Sequence, residues 1–138
     1  MFGPERVLSL PHDRMSAAAA RAQVRHSLLA AGLPRSLVDD ATVVVSELVS
    51  NAVIHGRPMP GDGIQVGWQR AEDVADGVRV TITDGGATSV PHPRAAGSMT
   101  GRGLHIVARL AREWGVERST DESTVWAVVD GSGAAARQ

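Results

Sequence analysis

The stretch Glu47–His55, with the sequence ELVSNAVIH, decides how the rest of the chain is organised. A helix advances by about 100° per residue, so Glu47, Asn51 and His55 form one slowly drifting polar row. Aliphatic side chains project beside this row, whereas an amphipathic surface helix keeps its polar residues on the far face. We therefore expect three polar groups at the border of the core, where each costs about 1–3 kcal/mol if it stays unpaired. A bound, hydrated ligand would supply the missing partners.

Composition favours one soluble domain spanning residues 1–138, with a tail from Asp130 to Gln138 that we expect to be frayed. The net charge of −1 provides no basic footprint for nucleic acid or an anionic membrane. The chain has no Lys and no Cys, which excludes the phosphate-loop lysine, thiolate catalysis and zinc–sulfur sites. Because no signal peptide or membrane-spanning run is recognisable, we expect a cytoplasmic protein.

Local patterns predict an alternation of strands and helices without the regular spacing of parallel crossover units. Ser36 and Asp39 resemble a capping arrangement for the central helix. The predicted strands are Arg6–Leu10, Ile64–Arg70, Val78–Thr83, Val116–Arg118 and Thr124–Val129, and the predicted helices are Ala17–Ala31, Arg35–His55 and Gly101–Trp114. This order predicts a two-layer α/β sandwich, in which a mixed, mainly antiparallel sheet carries helices on one face.

Two further features are able to converge on the polar row. Asp84-Gly85-Gly86 ends an apolar strand, where a carboxylate can accept a hydrogen bond from a buried amine, although a turn-forming Asp before two glycines is an equal alternative. Gly101-Arg102-Gly103-Leu104 opens a helix after the long loop Ala87–Thr100, and free N–H groups at a helix N-terminus can bind an anion. Taken alone, those glycines are better explained by backbone geometry. The long loop is typical of a lid or a binding segment.

The three side chains of the polar row suit different roles. Glu47 could pair with N–H groups structurally, or deprotonate a hydroxyl beside a metal–phosphate site. Asn51 offers a neutral amide oxygen, which is a plausible ligand for Mg²⁺ when phosphates supply the other ligands. His55 lies near the end of its helix, and we expect it to cap that end or to make a structural hydrogen bond.

Together these motifs resemble those of the GHKL (Bergerat-fold) ATPases, which include gyrase B, the MutL mismatch-repair protein and the catalytic domain of histidine kinases. The stretch Glu47–His55 looks like the N-box of that family, Asp84-Gly85-Gly86 looks like its first glycine motif, and Gly101-Arg102-Gly103-Leu104 looks like its second. The resemblance covers about Arg6 to Val129 and implies the histidine kinase-like ATPase fold. Small size and the strand around Trp126 look most like the anti-sigma-factor serine kinases and their actinobacterial relatives.

The resemblance also implies residue roles, with ATP and Mg²⁺ as cofactors. Asp84 would recognise the adenine amino group, and Gly86 would let the base approach. Asn51 would hold Mg²⁺ and Glu47 would activate the acceptor hydroxyl. The implied phosphate site comprises Gly101, Arg102, Gly103 and Leu104, with Arg94 as a further candidate that could equally be a solvated loop residue. The first motif departs from the family pattern at Thr88, where another Gly often stands, and this departure concerns the lid and not the adenine contact.

The resemblance leaves two functions open. In the first, the protein is a serine/threonine protein kinase that uses Mg-ATP to phosphorylate an anti-sigma-factor antagonist and also binds a sigma factor, thereby regulating transcription. In the second, it is a non-catalytic, ATP-responsive partner switch. A nucleotide-free adaptor with the same fold is a third alternative. The presence of both Glu47 and Asn51 favours the kinase, and a homodimer is compatible with the resemblance.

Overall fold

A computed structural model of the chain describes residues 5–72, 74, 76–86 and 99–132, and of residues 99–103 it describes the backbone alone. Five strands and three helices lie within these ranges. In chain order they are β1 (Arg6–Pro11), α1 (Ser16–Ala30), α2 (Arg35–His55), β2 (Gly63–Arg70), β3 (Val78–Asp84), α3 (Met99–Leu110), β4 (Glu113–Arg118) and β5 (Ser123–Val129). Every predicted element is present, and most boundaries agree with the prediction to within two residues.

The strands form one sheet in the order β1-β2-β3-β5-β4. Every pairing between the described strands is antiparallel, so the predicted two-layer α/β fold is confirmed, while the parallel pair that a mixed sheet would contain is not among them. The physical reason lies in the connections. Two hairpins, β2–β3 and β4–β5, produce antiparallel neighbours directly, and β5 runs back along β3 after the chain has passed through α3 and β4.

The core lies between the sheet and α2. Alternate residues of β3, namely Val78, Val80 and Ile82, are buried, whereas the residues between them are only partly buried. The helix α2 packs on β3 and β5 and is flanked by α1 and α3. Its fully buried side chains, such as Val44 and Leu48, each contribute about 1.5–3 kcal/mol relative to exposure. The predicted placement of helices on one face follows from this alternation.

The predicted cap of the central helix and the predicted end of the third helix are wrong. The central helix begins at Arg35 with Pro34 as its N-cap and no side-chain cap, so Ser36 lies inside the first turn and cannot form a capping box with Asp39. The third helix ends at Leu110 rather than at Trp114, because the N–H of Arg112 donates to the carbonyl of Val128 at 2.7 Å and turns the chain into β4.

The opposite face of the sheet carries an Arg–Trp stack. The Arg79 guanidinium lies 4.5 Å from the ring centroid of Trp126. Within the described residues, no helix is both long and apolar enough to cross a membrane. The residues at the start of the predicted tail are bonded, since Asp130 accepts hydrogen bonds from Arg112 and Ser132, and residues 133–138 lie outside the described ranges.

Candidate functional site at the end of the central helix

The polar row of α2 lies at the border of the core. Glu47, Asn51 and His55 are each half-buried, and buried Leu48 and Ala52 lie beside them on the same helix. The Nδ2 atom of Asn51 is buried and has no hydrogen-bond partner, and within the described residues it is the only buried side-chain nitrogen or oxygen in this condition. Since an unpaired buried donor is costly, the Nδ2 of Asn51 is a candidate among the described residues for a hydrogen bond to a ligand.

The first glycine motif meets the end of the same helix. The N–H of Gly85 donates to the carbonyl of Arg57 at 2.7 Å, and the N–H of Arg57 donates to the carbonyl of Gly86 at 2.9 Å. These bonds bring the end of β3 beside the segment that follows His55. The predicted convergence of the polar helix with Asp84-Gly85-Gly86 is therefore present in the structure.

Close contacts with neighbouring atoms explain two glycines in this junction. A Cβ on Gly56 would overlap the Asp84 carboxylate and would lie 2.8 Å from the carbonyl oxygen of Ala52. A Cβ on Gly85 would overlap the Pro58 carbonyl. Gly86 has a φ of +94°, a conformation that glycine adopts without the steric cost of a side chain. The junction thus leaves no room for a side chain at Gly56 or at Gly85.

Asp84 is one of the few buried polar residues, with 8 % of its surface exposed. Its Oδ1 accepts a hydrogen bond from the N–H of Gly86 at 2.7 Å, and no other hydrogen bond to this carboxylate occurs in the described part of the chain. Burial raises the pKa of Asp84, while the Gly86 N–H and the nearby His12 and Arg118 act in the opposite direction. The bond to Gly86 is the turn-forming contact that the sequence suggested, and Oδ2 stays available to a donor.

The second glycine motif belongs to α3, which packs against α2. The helix begins at Met99, two residues earlier than predicted, so Gly101 lies in its first turn, where backbone N–H groups lack partners within the helix. Leu104 is half-buried against the core. The phosphate-binding role assigned to Gly101, Gly103 and Leu104 remains a prediction.

Several predicted features fall outside the described residues. They are the side chain of Arg102, and Arg94 and Thr88 within the predicted lid, of which residues 87–98 are not described. A separate cleft of about 360 Å³ lies beside Gly85 and Gly86, between the α2–β2 connection and the β4–β5 turn, and Arg57, Arg118 and Glu122 are among its lining residues.

The prediction for His55 is wrong, and a histidine that sequence reasoning missed takes its place. The side chain of His55 makes no hydrogen bond within the described residues, whereas His12 Nε2 lies 3.1 Å from the carbonyl oxygen of Ala52 and 3.0 Å from that of Gly56. These contacts join residues 40 and 44 positions apart. No periodic pattern or local motif around His12 signals them.

The donor set suits a metal that takes most of its ligands from elsewhere. Within the described ranges, no group of three or more His, Asp or Glu residues could hold an ion by itself. An amide and nearby backbone fit Mg²⁺ bound to phosphates, because that ion commonly takes only one or two protein ligands. The unpaired Nδ2 of Asn51 would donate to a phosphate oxygen, while its amide oxygen could ligate the ion.

The fold and this junction define a two-layer α/β domain with a polar site where its central helix meets a strand end. A family model described as the histidine kinase-like ATPase domain matches residues 10–129. The chain therefore belongs to the histidine kinase-like ATPase family, as its motifs predicted. No curated protein matches the chain significantly.

The solved structures that are similar to this chain include the following two. The crystal structure of the RsbU and RsbW domains of Rv1364c from Mycobacterium tuberculosis aligns with a TM-score of 0.70 at 26% sequence identity, over 92% of this chain and 32% of the other. This chain thus spans about a third of the length of that protein chain. The SiaB–SiaC complex from Pseudomonas aeruginosa aligns with a TM-score of 0.63 at 17% identity, over 90% and 88% of the two chains, which shows a shared fold.

Proposed function

We propose that this protein is an Mg-ATP-binding regulator of the anti-sigma-factor type that transfers phosphate to a serine of an antagonist protein. The observation that carries the proposal is the buried, unpaired Nδ2 of Asn51, located on the helix whose end contacts Asp84. Membership of the histidine kinase-like ATPase family supports ATP as the ligand. Similarity to the RsbU and RsbW domains supports the regulatory class.

In this proposal, the residues of the site bind different parts of Mg-ATP. Asp84 would accept a hydrogen bond from the adenine amino group through Oδ2, and Gly86 would leave room for the base. Asn51 would hold Mg²⁺, which when bound neutralises charge on the phosphates. The first turn of α3, including Gly101, would contribute N–H groups to the phosphates, with Gly103, Leu104 and Arg102 beside it.

Glu47 would act as the general base. Its carboxylate is half-buried and makes no hydrogen bond or ion pair within the described residues, so it is available to a substrate hydroxyl. In the transfer, Glu47 would accept the proton of the serine hydroxyl as that oxygen bonds to the γ-phosphorus, and ADP leaves with the electrons of the broken P–O bond. Partner proteins in this proposal are a sigma factor and an anti-sigma-factor antagonist, and a homodimer is compatible with it.

Phosphate transfer tests the proposal directly. Partners are captured from the native cell extract with and without ATP, and the purified candidates are incubated with the protein and γ-labelled ATP. We expect the label on a serine of one partner, and we expect Glu47→Gln to reduce transfer by about 10²–10⁴-fold with ATP affinity unchanged.

Calorimetry on the same proteins separates the alternatives. Mg-ATP binding without phosphate transfer by the wild type would refute the kinase and favour the ATP-responsive partner switch. Failure of the wild type to bind Mg-ATP would refute both and leave the nucleotide-free adaptor.

A further inference from the structure

His12 bridges two parts of the fold that are distant in sequence. It follows β1 directly, and its half-buried ring places Nε2 3.1 Å from the oxygen of Ala52 and 3.0 Å from the oxygen of Gly56. Both contacts are carbonyl oxygens, which only accept hydrogen bonds, so Nε2 carries the hydrogen and donates it to the pair. The end of the first strand is thereby tied to the end of the central helix.

The two carbonyls belong to the last turn of α2 and to its C-cap, Gly56, at the end of the helix that carries the partial negative charge. The carbonyl of Ala52 also accepts the N–H of Gly56 at 3.0 Å. The backbone of Gly56 is therefore fixed at both ends: its carbonyl accepts a hydrogen bond from His12, and its N–H donates to the carbonyl of Ala52 in the helix.

Gly56 in turn packs against Asp84. The gap is so small that a Cβ on Gly56 would lie 2.6 Å from the carboxyl carbon of Asp84 and overlap its Oδ2. On the other side, Oδ1 is fixed by the N–H of Gly86 at 2.7 Å. The orientation of this buried carboxylate thus depends on two backbone contacts, and one of them is the peptide that His12 holds.

We propose that His12 is a positioning residue for nucleobase recognition: by donating its Nε2 hydrogen to the end of α2, it fixes the Gly56 backbone and so aims Oδ2 of Asp84 at the exocyclic amine of an adenine base. This inference rests on the proposed function, and it adds a determinant of base selectivity outside all three motifs. Burial raises the pKa of Asp84, and the electrostatic effect of the nearby His12 opposes that rise, which favours the ionised form of the carboxylate that accepts hydrogen bonds.

The test compares ATP with inosine triphosphate, whose base carries a carbonyl oxygen in place of the amine. Affinities of both nucleotides with Mg²⁺ are measured by calorimetry for the wild type, His12→Leu, His12→Asn and His12→Gln. The Gln amide nitrogen is as many bonds from Cβ as Nε2 of His, so it reaches the two carbonyls, whereas the Asn amide is one bond shorter.

We expect the wild type and His12→Gln to prefer ATP to a similar degree. In His12→Leu and His12→Asn the preference should fall by about ten- to a hundredfold, since small displacements of a recognition group cost that much. If His12→Leu does not fold, the comparison of Asn with Gln carries the test.

Two outcomes would overturn the inference. One is equal weakening of both nucleotides in His12→Leu and His12→Asn, which would make His12 a helix cap with no bearing on the base. The other is a His12→Gln protein that loses the preference as fully as His12→Asn does. If the wild type binds neither nucleotide, the proposed function itself is refuted. Both outcomes above require a wild type that binds nucleotide, so the two kinds of failure are distinguishable.

Discussion

The Asn51 amide lies where an aliphatic side chain would pack well. Its neighbours Leu48 and Ala52 are buried, and its Nδ2 has no partner within the described chain. Retaining a polar group in such a place lowers the stability of the free protein, because the desolvation cost is not recovered by a hydrogen bond. A ligand that bonds to the amide returns this free energy on binding.

Replacing Asn51 by Leu should therefore separate stability from binding. We expect the free energy of unfolding of the ligand-free protein to rise by about 1–3 kcal/mol, because the unpaired donor is removed. Mg-ATP binding should fall below detection in calorimetry. Denaturant unfolding measures the first effect, and a variant that is less stable than the wild type would contradict the assignment of Asn51 as an unpaired buried group.

The raised pKa of Asp84 leads to a second prediction, which concerns how the stability of the folded protein depends on pH. Because burial raises the pKa of Asp84 above its ordinary value of 3.8, the folded state binds more protons than the unfolded state between the two values. Stability due to this group is therefore present below pH 3.8 and is lost as pH rises through the raised pKa. Asp84→Asn cannot ionise, so it should gain stability relative to the wild type on going from acid to neutral pH.

Denaturant unfolding across that range measures the difference between Asp84→Asn and the wild type. Asp40 also has a raised pKa, caused by burial and by the neighbouring charges of Asp39 and Asp130, so the difference between the two proteins is the informative quantity and not the wild-type curve. A difference that does not vary with pH would show that Asp84 is not perturbed.

At the residue scale, the sequence predicted which side chains share a helix face, but it did not predict contacts between residues that are distant in sequence. Glu47 and Asn51 could be placed at the border of the core because helical periodicity fixes which residues share a face. The contact of His12 with Ala52 and Gly56 could not be predicted, since it depends on how β1 and α2 meet in three dimensions. The same reason explains why His55 was given a role that His12 fills.

At the scale of elements, the end of α2 is the most constrained part of the site. Gly56 has a φ of −93° and a ψ of 169°, which any residue can adopt, so its backbone conformation does not require glycine. The restriction comes from Asp84, whose carboxylate occupies the space of a Cβ. A glycine that follows a helix is usually explained by a left-handed conformation, and this one is explained by packing.

Gly56→Ala should destabilise the protein by about 1–3 kcal/mol, as overpacking does, and should weaken ATP binding because Asp84 is displaced. Gly61→Ala is the matched control, since a Cβ there meets nothing within 4 Å. Thermal unfolding and calorimetry on both variants check this expectation. If the two variants had equal stability and equal ATP affinity, the contact between Gly56 and Asp84 would not restrict the side chain at position 56.

The helix boundaries illustrate a second limit of sequence reasoning. The predicted extension of α3 to Trp114 followed from an apolar side that includes Val107 and Ala111, but the bond from Arg112 to Val128 ends the helix earlier. That bond depends on β5, which is far along the chain. Propensity located each element, and tertiary contacts decided where the elements end.

For the whole molecule, ligand binding and folding are linked. A ligand that binds only the folded state stabilises it by about 2.7 kcal/mol at a concentration one hundred times its Kd. We expect Mg-ATP at that excess to raise the free energy of unfolding by about this amount in the wild type. The same nucleotide should have no effect on Asn51→Leu. Chelating the metal with EDTA is the control, and stabilisation that persists without Mg²⁺ would contradict the metal role of Asn51.

The strand order has a consequence for how the chain reaches its native state. The β2–β3 and β4–β5 hairpins join strands that are consecutive in sequence, whereas the β3–β5 seam brings Asp84 beside Ser123 and the β1–β2 seam brings Pro11 beside Gly63. Non-local pairing slows folding, so the two hairpins should form early and their union along β3 and β5 should limit the rate. Substitutions along that seam are then expected to alter refolding speed more than equally destabilising ones inside either hairpin.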